Sequence, residues 1–251
     1  MEKELRPSSL RQALSLRRST AARPIMYGSG YAPGREPVLY LDGCEEFTRM
    51  DTDGKLLHIG AGVTAAQLCK EKCVPELLRA AAELCPKENR SSSSLGGALC
   101  AGNAVVIAAL GALDARITVA SEVGRRTMKL RRFLRSGVSL AKDELLCEIL
   151  VSDRKGGSFA VERCGEDMAF SGFVRWERRR IGEFRLAFCG GGQLVRYEEL
   201  EANLPGLTSK EAHELRDALL GAYDRYLPAW DESRRATLLI RLAGFLSDND
   251  L

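Results

Sequence analysis

Two short segments of the chain combine glycine with hydroxyl-bearing residues in a way that suits the binding of an anion. They are Tyr27-Gly28-Ser29-Gly30 and Ser93-Ser94-Leu95-Gly96-Gly97. Glycine has no Cβ atom, so backbone N–H groups at such bends can converge on a phosphate, and serine hydroxyls add further donors. These bends therefore favour a diphosphate ligand. Neither matches a Walker loop or the full dinucleotide fingerprint, and a plain tight turn stays the alternative for each.

Other reactive side chains lack the partners that catalysis or metal binding needs. A Ser-His-Asp nucleophile requires a histidine base, and neither His58 nor His213 stands beside a recognisable motif. The eight cysteines form no C-x-x-C pair, which argues against an iron–sulfur cluster on this chain. Cys69 and Cys73 lie one helical turn apart, but we favour small buried residues on an amphipathic helix over metal ligands. Disulfides are not expected.

Hydrophobic patterning predicts the elements that position the two bends. Before the second bend, Leu56–Ile59 is a predicted strand that ends at Gly60-Ala61-Gly62, and Thr64 then caps a helix. After it, Val105–Leu113 is rich in alanine and leucine, which favours a buried helix. The other predicted strands are Val38–Leu41, Arg116–Ala120, Arg126–Leu130, Leu145–Val151, Ser158–Arg163, Ala169–Trp176 and Phe184–Cys189.

The last third of the chain has its own pattern of strands followed by helices. The chain turns polar around Asp153–Gly157, where we place a domain boundary. Thr208-Ser209-Lys210-Glu211 fits a capping box, an apolar helix face runs from Ala212 to Tyr226, and a last helix is predicted over Glu232–Phe245. With 251 residues and 45% hydrophobic content, the chain can bury one large core or two modest ones.

Charge and hydropathy restrict the classes of partner. The formal net charge is +3 with both signs interspersed, which does not demand nucleic acid. We interpret the basic runs Arg125–Arg135 and Arg175–Arg180 as solvated surface, with contact to phosphate as the alternative. No stretch approaches the roughly 18 apolar residues of a membrane helix, and Met1–Arg6 lacks an apolar signal core. We expect a soluble, cytoplasmic protein without a nucleic-acid or membrane partner.

Several segments resemble the motifs of one protein family when they are compared as an ordered set. They are Arg6-Pro7-Ser8-Ser9-Leu10, Ile59-Gly60-Ala61-Gly62-Val63-Thr64, Arg90 with Ser94-Leu95-Gly96-Gly97, Ala112-Leu113-Asp114-Ala115, Asp143-Glu144-Leu145-Leu146 and Arg185-Leu186-Ala187-Phe188-Cys189-Gly190-Gly191. In order and spacing they resemble R-P-x-S-L, I-G-A-x-x-T, R-N-x-x-T-[IL]-G-G-N, L-A-L-D-A, D-E-[IL]-[IL] and R-[IL]-A-x-G-G. These are motifs of the flavin-binding subunits of the molybdenum hydroxylases, the xanthine and carbon-monoxide dehydrogenase family. The resemblance covers nearly the whole chain.

This resemblance implies an α+β fold with two domains. The first would be a two-lobed FAD-binding domain of the carbon-monoxide dehydrogenase flavoprotein type over residues 1–153, with lobes at about 1–52 and 53–153. The second, residues 154–251, would be a small α/β domain with a three-stranded antiparallel sheet and helices. FAD would lie between the lobes, held by Tyr27-Gly28-Ser29-Gly30-Tyr31 and by Ser94-Leu95-Gly96-Gly97-Ala98. In the family both loops give backbone N–H groups to the diphosphate.

The resemblance also implies a role in electron transfer. Such a subunit takes electrons from iron–sulfur clusters and passes them to NAD⁺ or another acceptor, while an iron–sulfur subunit and a molybdenum-cofactor subunit complete the complex. The substrate, purine-like or another heterocycle, would bind to a different subunit. No catalytic or metal-ligating residue is implied on this chain.

The chain departs from the family pattern at several positions. Ala98 stands where the family has asparagine, and Gly97–Leu113 is short and lacks the family's aspartate. Arg163 and Ser171 stand for a lysine and an aspartate. These departures motivate an alternative, a cofactor-less structural or assembly subunit of the same complex. A flavin-dependent oxidoreductase that acts alone ranks last, because no acid or base suggests a substrate site.

Overall fold

The computed structural model describes residues 4–25, 36–135, 140–152, 156–214 and 231–251. The first of its three sheets is parallel, in the order β1-β3-β2. Its strands are β1 (Glu4–Leu5), β2 (Arg23–Ile25) and β3 (Val38–Tyr40), with α1 (Leu10–Thr20) between β1 and β2. Ser9 caps α1 by accepting a hydrogen bond from the Gln12 N–H, which satisfies one of the free amides at the helix start.

The second sheet is antiparallel and has five strands in the order β4-β5-β8-β6-β7. They are β4 (Met50–Thr52), β5 (Leu56–Gly60), β6 (Arg116–Ser121), β7 (Gly124–Lys129) and β8 (Leu145–Ser152). Ile59 and Ile117 both pair with Ile149, so one row of buried isoleucines crosses the centre of the sheet. The helices of this region are α2 (Glu45–Thr48), α3 (Ala65–Lys70), α4 (Glu76–Glu83), α5 (Leu95–Cys100), α6 (Ala104–Ala112) and α7 (Leu130–Leu134).

Helix α6 is the buried helix that the sequence predicted. Every residue of it except Val106 is buried, as expected for a helix that is apolar on all sides. It packs against the third sheet so closely that a Cβ on Gly111 would lie 2.6 Å from Leu194 Cδ1. One hydrophobic cluster therefore joins α6 and the five-stranded sheet to Phe173 and Ala187 of the third sheet.

The third sheet is antiparallel in the order β12-β11-β10-β9, one strand more than expected. Its strands are β9 (Ser158–Arg163), β10 (Met168–Glu177), β11 (Arg180–Gly190) and β12 (Gln193–Arg196). The last strand predicted from the sequence, Phe184–Cys189, stops before Gly190-Gly191-Gly192, and we interpreted these glycines as a break. Gly191 and Gly192 instead adopt φ of +57° and +75°, a conformation that glycine tolerates, and turn the chain back into β12.

Helices follow the third sheet, as predicted. They are α8 (Glu198–Asn203), α9, which is described over residues 209–214, and α10 (Glu232–Asp248). The capping box is confirmed: the Glu211 carboxylate accepts the Thr208 N–H at 2.7 Å, and the Thr208 hydroxyl accepts the Glu211 N–H at 3.4 Å. The apolar face predicted beyond Glu214 lies outside the described residues.

The predicted domain boundary falls between β8 and β9, and residues 153–155 lie outside the described ranges. The third sheet has its own aromatic core, in which the Phe170 ring lies 5.2 Å from Phe188 and 5.6 Å from Phe245. The division into domains at 1–153 and 154–251 stays a prediction. Within the described part of the chain, no helix is long and apolar enough to span a lipid bilayer.

Candidate functional site

The second predicted loop lies where two helices begin side by side. Ser94 caps α5 and Thr64 caps α3, and the two residues form an isolated antiparallel bridge. The first predicted loop, Tyr27-Gly28-Ser29-Gly30-Tyr31, lies outside the described residues. Whether the two loops meet at one ligand therefore stays a prediction.

The four amides that follow Ser94 all donate hydrogen bonds inside the chain. The Leu95 N–H donates to the Val63 carbonyl and the Gly96 N–H to the Ala61 carbonyl, both at 2.8 Å. The Gly97 N–H donates to the Ser94 hydroxyl at 3.2 Å, and the Ala98 N–H to the Ser94 carbonyl at 2.9 Å. The amides of Leu95, Gly96, Gly97 and Ala98 therefore already have hydrogen-bond partners inside the fold. That Ser94-Leu95-Gly96-Gly97-Ala98 binds FAD stays a prediction.

The glycines of the two motifs in this region are needed for packing. A Cβ on Gly96 would lie 2.7 Å from the Ala61 Cβ and 2.8 Å from the Ala61 carbonyl oxygen. A Cβ on Gly60 would lie 2.5 Å from the carbonyl group of Phe47, whose oxygen accepts the Gly62 N–H at 2.7 Å. The I-G-A and L-G-G segments therefore pack against each other and against α2.

A mostly apolar cavity opens beside residues 87–94, which we call the serine loop. Ser93, Ser94 and Leu84 line it together with Arg163, which comes from β9. Asn103 adds a side-chain amide to the lining. The remaining lining consists of aliphatic side chains and small residues, namely Ala65, Leu68, Leu78, Ala81, Ala82, Cys85, Pro86, Leu95, Ala98, Val105 and Val106. Among the described residues, this lining contains no carboxylate. An anionic group of a ligand would therefore meet hydroxyls and a guanidinium there, without repulsion from a lining carboxylate.

Leu84 lies just beyond α4, which ends at Glu83. The apolar residues Leu77, Leu78, Ala81 and Leu84 follow helical spacing and predict a helix through Leu84, so its place outside the helix was missed. Pro86 gives the physical reason, since a proline disfavours helical conformation in the residue before it. Leu84 is 41% exposed and lies on the cavity wall. Leu84 therefore adds accessible apolar surface to the cavity lining.

Other residues that the sequence singled out lie away from this cavity. His58 is part-buried on β5, with Nδ1 3.2 Å from Glu148 Oε1 and Nε2 3.5 Å from Asp53 Oδ2. Backbone N–H groups of Leu56 and Lys55, followed by His58, lower the pKa of Asp53 to about 2. This arrangement fits a structural role for His58, a half-buried residue near a strand end.

Ser171, which stands where the family has an aspartate, does not line the cavity. It is fully buried in β10, and its hydroxyl has no hydrogen-bond partner among the described residues. The basic runs are largely on the surface: Arg125 lies on the edge strand β7, and Arg178 and Arg179 form a hairpin tip. Cationic side chains on an edge strand oppose pairing with other chains.

The cysteines show neither a disulfide nor a metal cluster. All eight are free, and no group of three or more potential ligands among the described residues is arranged to hold a metal. Burial raises the pKa of Cys147 and of Cys189 to about 12. These two thiols therefore stay protonated and unreactive in the folded chain.

Residues 3–151 match the family described as the FAD-binding domain in molybdopterin dehydrogenase. The chain belongs to this family. The match covers the strands, helices and loop that surround the serine bend, so the resemblance seen in the sequence is confirmed. No curated protein sequence matches the chain.

Solved structures with this fold include two carbon monoxide dehydrogenases. The enzyme from Hydrogenophaga pseudoflava has a TM-score of 0.77 at 20% identity, and the reconstituted enzyme from Oligotropha carboxidovorans has 0.79 at 18%; each match covers 98% of this chain and 94% of the other. Quinoline 2-oxidoreductase from Pseudomonas putida 86 has a TM-score of 0.73 at 15% identity, covering 97% of this chain and 96% of the other. At these identities the likeness establishes the fold, which confirms the predicted fold class.

FAD is the cofactor of this domain family, and the described residues fit it in chemical character. The hydroxyls of Ser93 and Ser94 and the guanidinium of Arg163 are the donors that phosphate and ring oxygens accept. The aliphatic wall around Leu84 suits a flat ring system. Side chains therefore supply candidate donors on the described side of the site, and binding of FAD by the amides of Ser94–Ala98 stays a prediction.

Proposed function

We propose that this chain is the FAD-binding electron-transfer subunit of a molybdenum hydroxylase of the xanthine dehydrogenase type. It receives electrons from iron–sulfur clusters and passes them to NAD⁺ or another acceptor. One observation carries the proposal: a largely apolar cavity brings together Ser93, Ser94 and Leu84, which lie in the part of the chain that matches an FAD-binding family, with Arg163 of the following strand β9.

Each of these side chains has a distinct task in the proposed site. The exposed face of Leu84 covers one side of the flavin ring and gains from leaving water. Arg163 has no ion pair with a described residue, so its guanidinium is available to hold negative charge at the rim of the cavity. The hydroxyls of Ser93 and Ser94 orient the polar part of the cofactor. FAD itself supplies the redox chemistry, and the protein sets its position and electrostatic environment.

Electrons have to reach this chain from a partner. The sequence has no C-x-x-C pair, and no cluster of metal ligands is found among the described residues. We therefore propose an iron–sulfur subunit and a molybdenum-cofactor subunit as partners, with a heterocyclic substrate bound by the latter. We also propose a cytoplasmic location, which eight free cysteines support because thiols stay reduced there.

Titration of FAD into the flavin-free chain tests this function. We expect the chain to take up FAD with a bound-flavin absorbance, and Arg163→Ala to weaken binding by about tenfold to a hundredfold, since hydrogen bonds to charged groups contribute roughly 1.5–3 kcal/mol. Arg163→Lys should keep part of the affinity. The control is Arg241→Ala, which removes an exposed arginine that pairs with Glu162 at 2.9 Å and does not line the cavity. A chain that ignores added FAD would contradict the proposal.

The second candidate function is a structural or assembly subunit of the same complex that has lost the cofactor. It is favoured by the internal hydrogen bonds of the Leu95–Ala98 amides. Co-expression with the iron–sulfur and molybdenum subunits separates the two functions. A stable complex without flavin supports the assembly role, and a complex with about one FAD per chain contradicts it.

A further inference from the structure

The serine loop has little regular structure of its own to hold its shape. After Pro86 a single 3₁₀ turn covers Lys87–Asn89. The N–H groups of Ser92 and Ser93 then both donate to the Asn89 carbonyl, at 3.1 and 2.9 Å. The position of the loop therefore depends on the side chains and backbone groups that anchor it to neighbouring helices.

Arg90 is the anchor in the middle of this loop. Its Nε donates to the Cys85 carbonyl at 2.9 Å, and a terminal nitrogen donates to the Glu83 carbonyl at 2.5 Å. The Glu83 carbonyl belongs to the C-terminal end of α4, where helix carbonyls have no partner within the helix. Because the guanidinium is planar and presents several donors in a fixed fork, it can bind both carbonyls at once.

The backbone of Arg90 makes a third connection. Its carbonyl accepts the Ala66 N–H at 3.0 Å, and the Ser93 carbonyl accepts the Ala65 N–H at 2.9 Å. The first turn of α3 is therefore held by the same loop that carries Ser93 and Ser94. One residue links the end of α4, the start of α3 and the serine loop.

These contacts join two parts of the cavity lining. Leu84, which lies between the two residues whose carbonyls accept from Arg90, lines the cavity together with Ser93 and Ser94. We propose that Arg90 is a positioning residue for the cofactor site, which fixes the spacing between Leu84 and the serine hydroxyls. This inference rests on the proposed binding of FAD, and it adds a residue that acts on the site through its neighbours.

Arg79 offers a matched control in the same pair of helices. A terminal nitrogen of its guanidinium donates to the carbonyls of Glu71, Lys72 and Val74 at 3.2, 3.5 and 3.1 Å. These bonds fix the connection between α3 and α4. Arg79 does not line the cavity and does not contact the serine loop through these bonds. We expect loss of the Arg79 hydrogen bonds to lower the stability of the fold, as loss of the Arg90 hydrogen bonds does, without moving the cofactor site.

The test is a fluorescence titration of FAD into the flavin-free full chain, with the melting temperature of each variant measured in the absence of FAD. We expect Arg90→Lys to raise the Kd for FAD by about tenfold, because lysine has one nitrogen in place of the two nitrogens of the planar guanidinium that bind the two carbonyls. We expect Arg79→Lys to lower the melting temperature by a similar amount and to leave the Kd within about twofold of the wild type. Arg90→Gln, which keeps one donor group, provides a second variant should Arg90→Lys not fold.

The outcomes separate the two proposals. If the wild type binds FAD and the Arg90 variants bind it equally well, or if Arg79→Lys weakens binding as much as Arg90→Lys, the positioning role of Arg90 is overturned while the proposed function stands. If the wild type takes up no FAD, the proposed function fails and the positioning role fails with it.

Discussion

Replacing Gly96 by alanine tests whether the glycine of the L-G-G segment serves the fold. The new Cβ would lie 2.7 Å from the Ala61 Cβ and 2.8 Å from the Ala61 oxygen. Ala61 cannot easily move away, since its carbonyl accepts the Gly96 N–H and its own N–H donates to the Cys147 carbonyl, both at 2.8 Å. Relief to 3.4 Å therefore requires α5 to shift by about 0.7 Å from its place against the strand end.

Two opposing effects set the change in the unfolding free energy of the Gly96→Ala variant. Overpacking of this kind destabilises the fold by about 1–3 kcal/mol, and replacing glycine by alanine inside a helix stabilises it by up to about 1 kcal/mol. We expect the Gly96→Ala variant to lose about 1–2 kcal/mol of unfolding free energy. For a chain of this size that is a fall in melting temperature of roughly 2–8 °C, measurable by calorimetry without FAD.

Gly97→Ala is the matched control, because the same change is made one residue later. Its Cβ would lie 2.7 Å from the Ser94 Oγ, an atom that can rotate away. Loss of that cap costs about 1 kcal/mol, and the gain in helix propensity is about the same, so the melting temperature should stay within about 2 °C of the wild type. The packing argument is refuted if Gly96→Ala melts like the wild type, or if both variants fall equally.

Three further predictions concern the third sheet and its neighbours. Glu201→Gln removes a buried carboxylate that two arginines and a backbone amide share, so denaturant unfolding should show a loss of about 3–5 kcal/mol. Burial alone raises the pKa of Asp114, but the charge and hydrogen bond of Arg196 outweigh it and lower that pKa from the usual 3.8. Folding thus favours the ionised form, and its contribution is present above pH 3.8 and lost as pH falls below it, so Asp114→Asn should flatten the acid loss of stability seen in the wild type. Arg178 and Arg179 form a two-residue hairpin loop with φ of +49° and +65°, a conformation for which Asn-Gly is preferred. The double variant Arg178→Asn with Arg179→Gly should therefore gain about 1–2 kcal/mol of unfolding free energy per residue, which a higher melting temperature would show.

The sequence predicts elements well where the signal is local. The apolar run Val105–Leu113 indicated a buried helix, and α6 occupies Ala104–Ala112 with Asn103 as its cap. The strand β12 was missed because three consecutive glycines are as typical of an irregular loop as of a tight turn. Only the partner strand decides between them, and the pairing of Gln193 with Gly190 supplies that information in space.

The candidate site was predicted less completely because its chemistry depends on distant partners. The sequence indicated that Ser94 and Gly96 stand at a bend, but not that the carbonyls of Val63 and Ala61, some thirty residues earlier, take up the amides of that bend. In the same way, nothing local places Arg163 from β9 beside Ser94. Local patterns report backbone shape, whereas the set of free donors is fixed by tertiary contacts.

The residues around the cavity fall into two groups, those that hold the fold together and those that can contact a ligand. Gly96 and the loop amides already have partners within the fold, so a ligand gains little from them. Leu84 keeps 41% of its surface in water, and Arg163 has no ion pair with a described residue. Both side chains gain from a flat ligand that carries negative charge, the first through burial of apolar surface and the second through a charge-assisted hydrogen bond. Variants of Gly96 should therefore act on stability and variants of Arg163 on FAD affinity, and effects that appear together at both positions would show that fold and site are not separable here.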